Sequence, residues 1–270
     1  MYHSIHSEFI ETPLIEILKE GVHACRPLGV GMHTEPMKEY FLSSLFLRMT
    51  WAQEQKLKCI CWELATHDYD FRNDYLKEIG DPRKYGEFSS FIQREKVYND
   101  LLRQLFLLNE GNRPRCTCLE NYKKFSQSVY KRVKVQLEKE PLYSWLQKEI
   151  QDLEDTNILE DTNIMTNPNN GPTSPTTFSA REKEWPSDPY KLFRKDLRSI
   201  YDLVVKQHRN RCAHNLTSVQ NHLPNLDQLK KPDYPQQNYV YRFVILILID
   251  EIFIELYQKY KELVERSPWY

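Results

Sequence analysis

An all-helical bundle is the fold class this sequence predicts, on three observations. The chain of 270 residues holds only 7 glycines, too few for the many tight turns of a sheet-rich fold. Its charged residues, 28% of the total, lie in long Lys/Glu/Leu/Tyr stretches made of good helix formers. Apolar residues recur at three- and four-residue steps over windows much longer than a strand. With 40% hydrophobic residues the chain can bury one sizeable core or two small ones.

The first long element runs from Pro36 to about Leu64, where Leu42, Leu45, Phe46, Met49, Leu57, Ile60 and Leu64 form one helical face with no glycine or proline inside it. A polar interruption, Gln53-Glu54-Gln55-Lys56, lies within it. A solvated stretch is its ordinary reading; the alternative has it face the helix that holds Val204 to Asn215 and help position it. A turn at His67 to Asp70 leads to a short helical piece that ends at Ile79-Gly80, and Asp81-Pro82 blocks continuation. Further helices are expected from about Glu87 to Leu108, from Leu119 to Leu137, and from Pro141 to Leu153.

The composition then changes. EDTNIL is followed at once by EDTNIM, and Thr166 to Thr177 consists of Asn, Pro, Thr, Ser and Gly. Such a stretch cannot bury enough apolar surface to offset roughly 1–2 kcal/mol of backbone entropy per ordered residue. The chain therefore reads as an N-terminal helical region over residues 1–155, a flexible linker over 156–186, and a C-terminal part over 187–270. Ser187-Asp188-Pro189 has the composition of a helix start, and Phe193, Leu197, Ile200, Tyr201, Val204 and Val205 make an apolar stripe. The last helix is expected from Tyr239 to Arg266, apolar all round in its first half and hence central in the bundle.

Charge and cysteines exclude several function classes. The 37 basic and 38 acidic residues give a net charge of -1, so no global field draws the protein to nucleic acid or anionic membrane, and a polyanion site has to be a local patch. The apolar run Phe243 to Ile249 falls far short of the roughly 20 residues that span a bilayer. MYHSIHSEFIE has neither the basic nor the apolar region of a secretory signal, so the expected location is the cytoplasm. The 6 cysteines are accordingly expected as free thiols. Cys59-Ile-Cys61 and Cys116-Thr-Cys118 are poor zinc clamps, the first pair pointing about 200° apart on a helix.

The segment that carries chemistry is VVKQHRNRCAHN, Val204 to Asn215. Extending the stripe at about 100° per residue puts His208 and Arg211 on the apolar side, and Arg209, Asn210 and His214 on the polar side. Arg209 and His214 lie about 140° apart on that wheel, so a joint site needs a bend in the helix or a second copy facing it, as an isologous dimer supplies. His208 reads as a buried, hydrogen-bonded residue.

These residues resemble the HEPN superfamily (higher eukaryotes and prokaryotes nucleotide-binding). Its signature is an arginine, commonly followed by a polar residue, with a histidine after four to six intervening positions near a helix end. The match here is Arg209, Asn210, then Arg211-Cys212-Ala213, then His214, followed by a long apolar helix as in that superfamily. The resemblance implies a four- or five-helix bundle and a metal-independent endoribonuclease without cofactor. It also implies a toxin or antiviral effector that works as a homodimer on RNA, with an inhibitor or activator protein as further partner. Histidine, with an ordinary pKa near 6.5, can move the 2'-hydroxyl and 5'-oxygen protons, and arginine can hold the charged phosphate. Asn210 and Asn215 would orient the imidazole or hold a phosphate oxygen, and Arg211 is a second phosphate clamp. Leu216 stands where some members carry a modifiable tyrosine, which speaks against that particular toxin–antitoxin arrangement. The other function class is a catalytically silent helical module that binds a nucleotide or partner protein, with Arg209 and His214 capping a helix end.

Arg26 and His33 are not a second motif, because Pro27, Gly29 and Gly31 make that stretch a loop. Lys123, Lys124, Lys131, Arg132 and Lys134, with Tyr122, Phe125 and Tyr130 among them, are either an RNA-binding face or the charged exterior of a bundle helix.

Overall fold

The computed structural model describes residues 5–29, 31, 34–79, 88, 90–110, 115–155, 192, 201–214 and 238–266. All regular structure among them is helical. The helices are α1 (Ile5–Glu11), α2 (Leu14–Cys25), α3 (Glu35–His67), α4 (Tyr69–Ile79), α5 (Phe91–Leu108), α6 (Thr117–Glu120), α7 (Tyr122–Leu137), α8 (Leu142–Asp155), α9 (Gln207–His214) and α10 (Tyr239–Arg266). A π-helical turn, Asp202–Lys206, leads directly into α9. The linker expected over 156–186 and the helix start at Ser187 to Pro189 lie outside the described residues.

α10 is the axis of the molecule. Every residue from Tyr239 to Asp250 is buried, and α1, α2, α3, α5, α6, α7 and α8 all pack against it. Leu18, Phe46, Leu101, Val133 and Leu146 share one core with Phe243, Leu246 and Ile252, so the N-terminal helices and the C-terminal helix form a single body. No described helix is long and apolar enough to cross a membrane.

Three elements differ from the sequence expectation. Residues 5–25, unassigned above, form α1 and α2, and Leu14, Leu18, Val22 and Cys25 bury the α2 face. Gly21 brings that face so close to α3 that a Cβ there would meet Leu45 Cδ1 at 2.8 Å. α5 begins at Phe91 instead of Glu87, because the Ser90 hydroxyl accepts the Gln93 N–H at 3.3 Å and caps the first turn. The helix expected over Leu119 to Leu137 is broken at Asn121, whose side chain caps α7 through the Lys124 N–H.

The largest correction is the polar interruption in α3. Gln53, Glu54 and Lys56 are only 1%, 8% and 4% exposed, so the stretch is not solvated. A buried polar group costs free energy unless it is hydrogen-bonded, and each of these has found a partner on a different element. Gln53 Nε2 donates to the Leu246 carbonyl of α10 at 2.8 Å, and its Oε1 accepts from Arg94 Nε of α5 at 3.1 Å. Lys56 Nζ donates to Asp250 Oδ1 at 2.8 Å and to the Thr12 carbonyl between α1 and α2. Asp250 Oδ2 also accepts the Leu14 N–H at 2.7 Å. Burial pushes the Asp250 carboxyl up to about 6, although Lys56 and the Leu14 N–H pull it down. Asp250→Asn should therefore cost about 3–5 kcal/mol in denaturant unfolding, because it leaves the Lys56 ammonium buried without a counter-charge. The double change Lys56→Met with Asp250→Leu should cost much less; equal losses would refute this account.

The α10 N-terminus is closed by a second carboxylate. Glu149 of α8 accepts the Tyr239 N–H at 2.6 Å, and its backbone carbonyl accepts from Asn238 Nδ2 at 3.0 Å. Burial raises the Glu149 carboxyl to about 7 in spite of these donors and of Lys38 and Arg242. A raised folded-state pKa means that the folded protein holds the extra proton, so this contribution to stability is full below the ordinary carboxylate pKa of about 4.5. It is lost as pH rises through about 7. Thermal melts at a series of pH values should show Glu149→Gln gaining stability relative to wild type between pH 4.5 and 7, by on the order of 1–3 kcal/mol. A pH-independent difference would refute the assignment.

Candidate functional site

The motif helix α9 lies on α3 and is entered through a wide turn in which the Gln207 N–H bonds the Asp202 carbonyl, five residues back. Arg242 of α10 supports this turn from inside. It is 1% exposed, its Nε donates to the Val204 carbonyl at 3.2 Å, and its guanidinium lies 4.7 Å from the Tyr239 ring centre. Tyr201 and Val205 fill the core on the same side. π-helical turns are rare and concentrate at functional sites.

His208 takes the buried position expected for it. It is 8% exposed and packs against Phe46 and Tyr239, with ring centres 5.0 and 5.3 Å away. Its Nε2 lies 3.1 Å from the Tyr239 hydroxyl and 3.4 Å from Cys212 Sγ. The Tyr239 hydroxyl donates to Glu39 Oε1 at 2.6 Å and lies 2.8 Å from Ser43 Oγ. This network joins α9 to α10 and α3. Burial and the neighbouring Glu39 carboxylate push the Tyr239 phenol far above its ordinary range, so it stays a neutral donor.

Arg209 stands on the polar side, as the wheel placed it. Its Nη2 donates to Glu54 Oε2 at 3.2 Å, and its Nη1 donates to Asn210 Oδ1 at 3.2 Å. The Glu54 side chain is 10% exposed and that of Arg209 is 32% exposed, so the pair has a buried acid end and an open basic end. A guanidinium carries five N–H donors in a rigid fork, and the bonds to Glu54 and Asn210 leave several of them for an outside anion. Glu54 was not singled out as a site residue by the sequence, but its contact with Arg209 matches the alternative reading of the polar interruption, in which that stretch faces the motif helix. Beside it, Arg94 is buried with its guanidinium 5.1 Å from the Tyr201 ring centre. Burial pushes the Tyr201 phenol up to about 12.

Of the other sequence candidates, Asn210 joins Arg209 as described. The backbones of Arg211 and His214 belong to α9; their side chains, and the whole of Asn215, lie outside the described residues. On α7, Lys124, Lys131 and Arg132 are exposed, while Phe125 and Tyr130 pack against the core. Arg132 pairs with Glu251 at 3.0 Å and Lys134 lies 3.6 Å from Glu138. The two aromatics are thus turned inward rather than offered to bases, and the Tyr122 and Lys123 side chains lie outside the described set. All six cysteines are free thiols. Among the described residues no group of three or more His, Cys, Asp and Glu side chains is placed to hold a metal ion.

Fold and site together define an all-helical bundle that presents a half-open arginine on a short helix set across a buried carboxylate. Comparison with protein-family profiles, with curated proteins and with solved structures gives no match. A double-mutant cycle over Arg209→Ala and Glu54→Ala should return a coupling of about 1 kcal/mol in unfolding free energy, the scale of a partly exposed ion pair. A coupling of zero would show that Glu54 does not hold Arg209 in solution.

Proposed function

We propose that this protein is a metal-independent endoribonuclease of the HEPN type, acting as a toxin or antiviral effector. The observation that carries the reading is the Arg209 guanidinium, anchored on one edge by Glu54 and Asn210 and open on the other, in the R-x4-H segment of α9. In the proposed reaction the RNA 2'-oxygen attacks the adjacent phosphorus as its proton passes to a base. The bond from phosphorus to the 5'-oxygen breaks, and that oxygen gains a proton from an acid. The products are a 2',3'-cyclic phosphate and a 5'-hydroxyl, with no change in oxidation state. His214 is assigned the proton transfers and Arg209 the charge on the five-coordinate phosphorus, with Asn210, Arg211 and Asn215 as supporting donors. Each chain carries one such segment, so the complete site is assigned to two copies related by a two-fold axis.

One observation favours a second reading. The same ion pair ties α9 to α3, and an arginine used in this way also suits a silent helical module that binds a nucleotide or a protein. Cleavage of diverse RNAs separates the two. His214→Ala should lose about 10²- to 10⁴-fold in rate, the size of a general acid–base contribution. Arg209→Ala should lose a comparable factor, and wild-type cleavage should continue in EDTA. Cleavage that His214→Ala retains would assign the activity to another source and leave the binding module as the better reading.

A further inference from the structure

Three of the largest exposed side chains lie on one face of α3. Tyr40, Trp51 and Trp62 are 71%, 61% and 60% exposed, and Met37 adds another apolar group at 48%. Eleven residues make slightly more than three full helical turns, so Tyr40 and Trp62 stand within about 20° of Trp51 on the helix circumference. The stripe is nearly neutral along its length. Arg48, between Tyr40 and Trp51, is neutralised by Glu20 of α2 at 2.5 Å, and only Lys58 adds a further charge between the two tryptophans. Tryptophan, tyrosine and methionine with little net charge make up the centre of protein–protein interfaces, whereas a single-stranded nucleic acid track needs a run of unpaired cations.

The spacing identifies the occupant. Tyr40 lies 11 residues before Trp51 and Trp62 lies 11 after it, so the stripe matches its own reversed copy. We propose that a second copy of this chain docks here, its α3 antiparallel to the first, with the two-fold axis lying in the interface level with Trp51. Trp51 then meets the partner's Trp51, and Tyr40 meets the partner's Trp62. The face from Met37 to Thr66 is about 44 Å long and roughly 12 Å wide, about 500 Å² per partner before its flanks are counted. A stable interface uses about 800 Å² per partner, of which this strip makes up more than half.

This arrangement deepens the nuclease reading and rests on it for its purpose. Phe46 and Glu54, which carry α9, lie about 140° and 60° from Trp51 in the same sense around α3. A two-fold axis perpendicular to α3 within the interface preserves that side, so both motif helices arrive on one edge of the paired α3 helices. The two Glu54 anchors are then offset by about 9 Å along the helices, which brings two Arg209 groups to one shared groove. A parallel pairing would put Tyr40 against the partner's Tyr40 and send the motif helices to opposite edges.

The test reads assembly without RNA. Wild type should sediment as a dimer at micromolar concentration, and Trp51→Glu should weaken the dimer by about 30-fold or more with unchanged helical circular dichroism. In a Cys59→Ser, Cys212→Ser background, Trp51→Cys should cross-link to itself under mild oxidation. Tyr40→Cys mixed with Trp62→Cys should also cross-link, and Tyr40→Cys alone should not. A monomeric wild type, a Trp51→Glu dimer of unchanged affinity, or a Tyr40→Cys homodimer would each overturn the proposal. So would a Trp51→Glu variant that stays dimeric and loses only RNA binding, which would make the stripe an RNA platform. A dimer that passes these tests but cleaves no RNA would uphold the interface and reject the nuclease reading. A monomeric Trp51→Glu protein that cleaves at the wild-type rate would uphold the interface and reject the composite site.

Discussion

The arrangement of this molecule depends on the burial of three closely spaced polar side chains in the middle of α3. Gln53 holds α5 and α10, Glu54 holds α9, and Lys56 holds α10 and the α1–α2 corner. An apolar bundle face tolerates sliding by a turn, because one leucine fills another's place at modest cost. A buried ammonium or carboxylamide does not, because a shift of one turn would leave it without its partner at a cost of several kcal/mol. The register of α5, α9, α10 and the α1–α2 corner against α3 is therefore set by hydrogen bonds, and the apolar core of α10 supplies the bulk of the burial around them.

The same constraint positions the motif helix. α9 is only eight residues long, too short to be stable by its own hydrogen bonds in water. It is held on its inner face by His208 between Phe46 and Tyr239, and at its edge by Glu54 on Arg209. The π-helical turn before it widens the backbone, and Arg242 takes the Val204 carbonyl there. Two fixed points on one short helix set both its rotation and its height, which a single contact could not.

Much of this was legible in the sequence, for a physical reason: periodicity reports burial directly. α3 and α10 were read almost to the residue because their stripes are long, and His208 was placed inward by extending the stripe of Tyr201, Val204 and Val205. α1 and α2 were not assigned, since Pro13 divides residues 5–25 into two short pieces whose apolar sets are small, although Leu14, Leu18, Val22 and Cys25 carry the helical spacing. The break at Asn121 depends on a backbone conformation, φ -141° and ψ 58°, that composition does not announce. For the Gln53 to Lys56 stretch the solvated reading fails and the alternative, a face toward the motif helix, holds for Glu54 alone, because a polar residue reveals only its own chemistry. Its partners at 94, 209, 246 and 250 are joined to it by the fold alone.

A carboxylate next to an arginine proposed to hold a phosphate looks contradictory, since it withdraws part of the charge that a phosphate would meet. The geometry resolves this by separating the two faces of the guanidinium. Glu54 is nearly buried and meets one nitrogen, Nη2, from below, while the arginine keeps about a third of its surface in contact with solvent. A phosphate arriving from solvent would meet the open donors at hydrogen-bond distance, whereas its repulsion from Glu54 would act across the full width of the guanidinium. Coulomb energy falls with distance, so the near attraction exceeds the far repulsion. In return the carboxylate fixes the fork before any ligand arrives, and the free energy of ordering a long side chain is no longer charged to binding. An unanchored arginine at the same helix end would carry more net charge and deliver less of it to any one position.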